Sequence, residues 1–245
     1  MIVRDQWNGY AYRFGDNASE RCIVSFDVSA CDPSEQKPSQ LRRVIGFSPE
    51  GHIGPSGMPS PPAMQRLRAI ETELVAELTR AKVACWLVGK QVYRGMRELL
   101  FQVDDLAGFA RAYAVIEAKL GGTKLVEHAD WTFFNDKISP GERGYNHIAN
   151  REVMTALAQA GSLMGELHQL DHTFVGPPAA LRSIAEAIDP AFGEPRYLEK
   201  SMTISVQYPL DDQDLIDGLT MYLRRLAKEH GASYDGWGAA VVSGN

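Results

Sequence analysis

A chain of 245 residues, 44% hydrophobic and 23% charged, holds enough apolar material for one large core or two of ordinary size. A formal charge of −6 and a pI near 5.5 exclude the broad cationic field that non-specific phosphate binding needs, and fit a basic partner better. Cys22, Cys31 and Cys85 cannot all pair and lack the doubled C-x-x-C of a structural zinc site, which suggests a reducing compartment. The start Met1–Trp7 turns polar at once and apolar runs such as Ala84–Val88 are short, so a soluble cytoplasmic protein with no membrane contact is expected.

Trp7, Tyr10, Tyr12 and Phe14 precede a Gly15-Asp16-Asn17 turn, and Cys22, Val24, Phe26 and Val28 then alternate, which predicts a hairpin. Ser29 to Ser60 is rich in Pro, Gly and Ser, with one short strand expected at Val44–Phe47. Ser60 as a cap before Pro61-Pro62 opens a helix with the stripe Met64, Leu67, Ile70, Leu74 and Leu78. Strands are predicted at Val83–Val92 and Glu98–Asp104 around a Tyr93-Arg94-Gly95 turn. Leu106, Phe109, Ala110, Tyr113, Ile116 and Leu120 mark a second helix that stops at Gly121-Gly122, and a strand is expected from Lys124 to Phe134.

The turn-rich segment Ser139–Gly144 reads as a boundary between domains 1–143 and 148–245, with a bridging helix from Asn150 to Ala160. His168, Leu170, His172 and Phe174 alternate as a strand, and Pro177-Pro178 opens a helix with Leu181, Ile184, Ala185 and Ile188 inward. Met202, Ile204, Val206 and Tyr208 face one way and Thr203, Ser205 and Gln207 the other, the pattern of a sheet covered on one side. Asp211 and Asp212 begin a helix bearing Leu215, Leu219, Tyr222, Leu223 and Leu226, which ends at Gly231, and Ser233–Val242 closes as a strand. The same cycle thus occurs twice, with Asp130-Trp131 and Asp235-Gly236-Trp237 at matching places. The fold class expected is α+β, two tandem ferredoxin-like (βαββαβ) antiparallel α/β-sandwich domains.

Candidate chemistry is sparse. His168-Gln169-Leu170-Asp171-His172 looks like a metal clamp on a helix, but on a strand the imidazoles stand roughly 13 Å apart, too far to share an ion. They are then expected as an exposed pair on one sheet face, open to a partner or a pH-dependent role. Asp211, Asp212 and Asp214 sit where helix starts normally carry acid. The GxGxxG, GxxxxGK[ST] and GxSxG patterns are missing from the sequence, and Ser139 and Cys85 have no histidine nearby in it, so no catalytic residue, cofactor or metal is assigned. Two glycines around Trp237 cost a strand stability and suit a bulge or a close approach. Trp237 either roofs the core under the last helix or forms a contact site with Tyr234 and Asp235.

The segment His168–His172 leading into a helix, the Met202–Tyr208 strand and above all Tyr234-Asp235-Gly236-Trp237-Gly238 resemble regulator of ribonuclease activity B. That resemblance implies an acidic ferredoxin-like domain that binds and restrains the bacterial endoribonuclease E. The amino-terminal part is similar to a bacterial domain-of-unknown-function family, through the aromatic segment from Trp7 to Tyr12 and through Asp130-Trp131-Thr132-Phe133-Phe134 ahead of Pro140. The leading reading is a non-catalytic, protein-binding regulator. Its contact residues are Tyr234, Asp235, Trp237, His168 and His172, with Asp130 and Trp131 second, and its partner is a protein such as a ribonuclease. One alternative is a small-molecule or enzymatic site in a pocket near the tryptophan-bearing closing strands. An RNA-binding module is the other, disfavoured because neither an Arg/Lys-Gly-aromatic motif nor a basic sheet face is apparent.

Overall fold

The computed structural model describes residues 7–14, 19–37, 40–49 and 52–243; the turn expected at Gly15-Asp16-Asn17 lies outside them. The chain divides into two compact units, Met1–Gly144 and Tyr145–Asn245.

In the first unit β1 (Trp7–Phe14), β2 (Glu20–Asp27), β3 (Leu41–Phe47), β4 (Cys85–Tyr93), β5 (Met96–Val103) and β6 (Thr123–His128) form one antiparallel sheet, ordered β1-β2-β4-β5-β3-β6. Without the β1-β2 hairpin the order is β6-β3-β5-β4, with α1 (Pro61–Arg80) following β3 and α2 (Leu106–Leu120) following β5, which is the ferredoxin-like arrangement. Strand β3 is longer than the apolar run Val44–Phe47 suggests. It pairs on both sides, so Leu41 is fully buried and Arg42 largely so, and the two arginines masked its start. Ser60 stands at the N-cap of α1 without capping it, because its hydroxyl lies 3.3 Å from His52 Nδ1. Leu67, Ile70, Leu74 and Leu78 are buried as the periodicity predicts, while Ala63 turns inward in place of Met64. In α2 the buried face is Phe109, Ala112 and Ile116; Leu106 and Ala110 point to solvent. The core between helices and sheet joins Leu74, Leu78, Phe109, Ala112 and Ile116 to Val44, Leu87, Leu99, Phe101 and Val103.

The strand expected to reach Phe134 ends at His128. Asp130 Oδ1 accepts the Thr132 amide at 2.9 Å, and this local turn starts the short helix α3 (Thr132–Lys137). Phe134 and Ile138 are then fully buried on the sheet face away from α1 and α2. Gly89 permits that approach, since a Cβ there would lie 2.5 Å from Ile138 Cγ2.

The second unit begins within α4 (Glu142–Gln159), which starts eight residues before the helix expected from Asn150. β7 (Leu167–Val175), α5 (Pro178–Ala187), β8 (Arg196–Tyr197), β9 (Ser201–Pro209), α6 (Gln213–Glu229) and β10 (Ser233–Ala239) follow, and the antiparallel sheet is ordered β10-β7-β9-β8. This is again ferredoxin-like, with β8 reduced to two residues that no sequence pattern announces. Phe174, Leu181, Ile184, Met202, Ile204 and Leu223 form the core beneath the helices. In α6 the stripe is Ile216, Thr220, Leu223, Leu226 and Ala227, and Leu215 is half exposed. The opposite sheet face carries Gln169, Asp171, Thr173, Thr203, Ser205 and Gln207. Tyr208, the one aromatic of the Met202–Tyr208 run, packs on the helix side. Among the described residues no helix is long and apolar enough to cross a membrane.

Candidate functional site

Among the described residues the edge strand β10 pairs with β7 only, and its register shifts between Tyr234, opposite Phe174, and Gly236, opposite Thr173. Asp235 is the extra residue of a bulge, and Gly236 has a φ of +130°, which favours glycine. In an unbroken strand Tyr234 and Trp237, three apart, would point to opposite faces. The bulge brings both to the helix side, because Trp237 lies opposite His172 and Tyr234 opposite Phe174, both buried there.

Trp237 is half-buried against the cluster of Leu157, Leu170, Leu210 and Ile216, on which Val153 and Met154 of α4 also pack. Its indole Nε1 donates to Asn150 Oδ1 at 2.8 Å. Asn150 Nδ2 donates in turn to Asp217 Oδ1 at 2.7 Å and Thr220 Oγ1 at 2.8 Å, and Asn146 Nδ2 donates to the same hydroxyl at 2.9 Å. His147 Nδ1 donates to Asp217 Oδ2 at 2.5 Å, while Arg224 Nε donates to Asn146 Oδ1 at 3.0 Å. Every polar side chain in this α4–α6 seam has a partner, as burial demands. The seam escaped sequence reasoning. Its signal is polar residues at helical spacing inside apolar stripes, with Thr220 between Ile216 and Leu223 and Asn146 four before Asn150.

Neither histidine is on the surface. His168 and His172 are both 0% exposed, which corrects the expectation of an exposed pair: the alternation was right but the face it shares is the covered one. A carbonyl can only accept, so the 2.8 Å contact with Glu166 O fixes the proton on His168 Nδ1, and Nε2 accepts from the Ser162 hydroxyl at 2.7 Å. Ser162 Oγ also accepts the Val242 amide at 2.9 Å. The pair is a clamp on the chain end, with a carbonyl where a triad would hold a carboxylate. His172 Nδ1 lies 2.8 Å from the Tyr234 hydroxyl; burial lowers its pKa to about 4 and raises that of Tyr234, so both are neutral at pH 7. Tyr234 itself is buried. Of the five residues singled out, Asp235 and the partly exposed Trp237 are the two within reach of a partner.

Asp130 and Trp131 belong to the first unit and do not repeat this arrangement. Trp131 is 5% exposed, with Nε1 donating to Lys37 O at 2.9 Å, and Asp130 is acidified by the Thr132 amide. Among the described residues no group of three or more His, Cys, Asp or Glu could hold a metal ion.

Beside β10 lies a cleft of about 320 Å³, lined by Ala149, Asn150 and Val153 of α4, by Arg224 and by residues 234–238, and reaching Asp171 and Thr173 of β7. Arg224 stacks over the Tyr234 ring at 5.4 Å. The Asp171 carboxyl is held below the usual range first by the Ser205 hydroxyl at 2.6 Å and then by Gln169 and Arg196.

Comparison with curated proteins finds no match. Among solved structures, that of an unknown protein from Galdieria sulphuraria is similar at 12% identity over 82% of this chain and 97% of that one, with a TM-score of 0.23. Residues 147–239, from α4 through β10, match the model of the family described as Regulator of ribonuclease activity B, and the C-terminal domain thus resembles that family.

Proposed function

We propose that the protein is a non-catalytic regulator that binds a ribonuclease, ribonuclease E or a related RNA-processing assembly, through the C-terminal domain, within the cytoplasm. The observation that carries this reading is the family match over residues 147–239 together with its place on the fold, since it ends on the open edge strand where Asp235 is presented. The domain limits proposed are 1–143 and 148–245. Asp235 and Trp237 make the contact, while Tyr234, His168 and His172 hold the strand from beneath. The Ser162–His168 clamp supports a role without catalysis, because its hydroxyl is occupied on both sides. The open face of β7 and β9 offers RNA neither an aromatic platform nor a cluster of cations, which argues against direct RNA binding.

Pull-down of ribonuclease E by the full chain, paired with an RNA-cleavage assay, tests the proposal. Capture with altered cleavage is the expected result. No capture and no change at micromolar protein would overturn it. The cleft favours a second reading, a small-molecule site, which a thermal-shift screen of metabolites tests independently.

A further inference from the structure

We infer that the cleft along β10 receives an extended basic segment of the partner. The segment adds to the sheet edge as a fifth strand and lays a lysine or arginine side chain across Gly238 towards Asp235 and Asp171. The inference rests on the partner-binding reading above and specifies the chemistry of its contact.

The backbone supplies the first argument. β10 is bonded to β7 on one side, and among the described residues no strand covers its other side, so its outward amides and carbonyls form a template for an added strand. Glycine supplies the second. Nothing lies within 4 Å of where a Cβ would stand on Gly236 or Gly238, so the open face of β10 is bare backbone there. That bareness is why a cleft beginning at α4 can pass over the strand and reach Asp171 and Thr173 on β7. A side chain at 238 would wall it off.

Charge selects the occupant. The bulge leaves the Asp235 carboxylate exposed and without an ion pair among the described residues. Asp171 is kept anionic by Ser205, and its 3.2 Å pair with Arg196 is solvent-exposed on both sides, so an incoming cation can share it. Arg224, a cation in the same cleft, is already engaged by Asn146 and the Tyr234 ring. The lining itself holds two carboxylates and one committed guanidinium, with Arg196 reaching Asp171 from outside it, and in a chain of net charge −6 this balance favours a cationic guest. Size selects its form. At about 320 Å³ the cleft accommodates one or two side chains, which suits an extended segment and not an inserted helix.

The test compares the wild-type full chain with Gly238→Val and Asp235→Asn. Gly238 lacks a positive φ and its Cβ position is empty, so Gly238→Val blocks the cleft without straining the fold, as unchanged circular dichroism and melting would verify. The probes are two fluorescein-labelled peptides, three repeats of Thr-Val-Thr-Arg and three of Thr-Val-Thr-Glu, read by anisotropy, with ribonuclease E pull-down in parallel. The arginine peptide should bind wild type at least roughly tenfold more tightly than the glutamate peptide, and Gly238→Val should weaken it by a similar factor. Asp235→Asn should weaken it several-fold.

If wild type and both variants capture the ribonuclease equally, the inference is overturned while the partner reading stands. If no variant captures it but the arginine peptide shows this pattern, the ribonuclease reading fails and the cleft's specificity is upheld. Peptide binding that ignores charge, or that survives Gly238→Val, overturns the inference.

Discussion

Lowering the pH should weaken the second unit through His172. The ring is buried between Tyr234 and Phe192, and Nε2 has no hydrogen-bond partner among the described residues, so a proton added there would be an unpaired buried charge. Burial lowers the folded-state pKa from 6.5 to about 4. As the pH falls the unfolded chain therefore takes up the proton first; the contribution to stability is complete above pH 6.5 and drains away between 6.5 and about 4. The full window corresponds to about 3 kcal/mol, of which about 2 kcal/mol is lost by pH 5. Urea unfolding at pH 8 and pH 5, sampled with a brief deuterium pulse at one common pH and read on β7 and β9 peptides, measures this loss. His172→Gln keeps a hydrogen-bonding group for Tyr234 and removes the titration, so wild type should lose about 2 kcal/mol more than the variant between the two pH values. Equal losses within about 0.5 kcal/mol would refute the reasoning.

Trp237→Phe should cost about 1–3 kcal/mol, because the Asn150 Oδ1 acceptor is left buried without its donor. Combined with Asn150→Ala in a double-mutant cycle it should show about 1 kcal/mol of coupling, and additivity within about 0.3 kcal/mol would contradict the assignment. Gly89→Ala should destabilise the first unit by about 1–3 kcal/mol through overpacking on Ile138, and Ile138→Ala should cost less in that background than in wild type, as denaturant titration can establish. Ser162→Ala should cost about 1–3 kcal/mol by stranding His168 Nε2 and the Val242 amide, yet leave ribonuclease capture unchanged; lost capture with an unchanged melt would show a direct role instead.

Much of this architecture is legible in the sequence where one physical signal dominates. Period-two runs such as Met202–Tyr208 and helical stripes such as Leu67–Leu78 are set by burial on one side, and the structure places them accordingly. The misses share a cause: charged or polar residues in covered positions. Arg42 and Arg43 hid the start of β3, and Asn146 and His147 hid the first two turns of α4. The side chain of Asp130 nucleates a turn where strand propensity alone carries on to Phe134. For the site, composition singled out Tyr234, Asp235 and Trp237, but not which of them would face outward. Alternation cannot tell a covered face from a bare one, and it put His168 and His172 on the wrong side.

The extra residue at position 235 has a further consequence, one of phase. Side-chain direction along a strand is a binary count, and an inserted residue inverts everything beyond it unless a bulge absorbs it, as happens here. Deleting Asp235 would remove the carboxylate and the bulge together: Tyr234 and Trp237 would then stand two apart, both still on the helix side opposite Phe174 and His172, and the glycines would stay on the bare face. The outward acid is thus separable from the strand's inward side, and a relative one residue shorter at this point would keep the Trp237–Asn150 bond while losing the carboxylate.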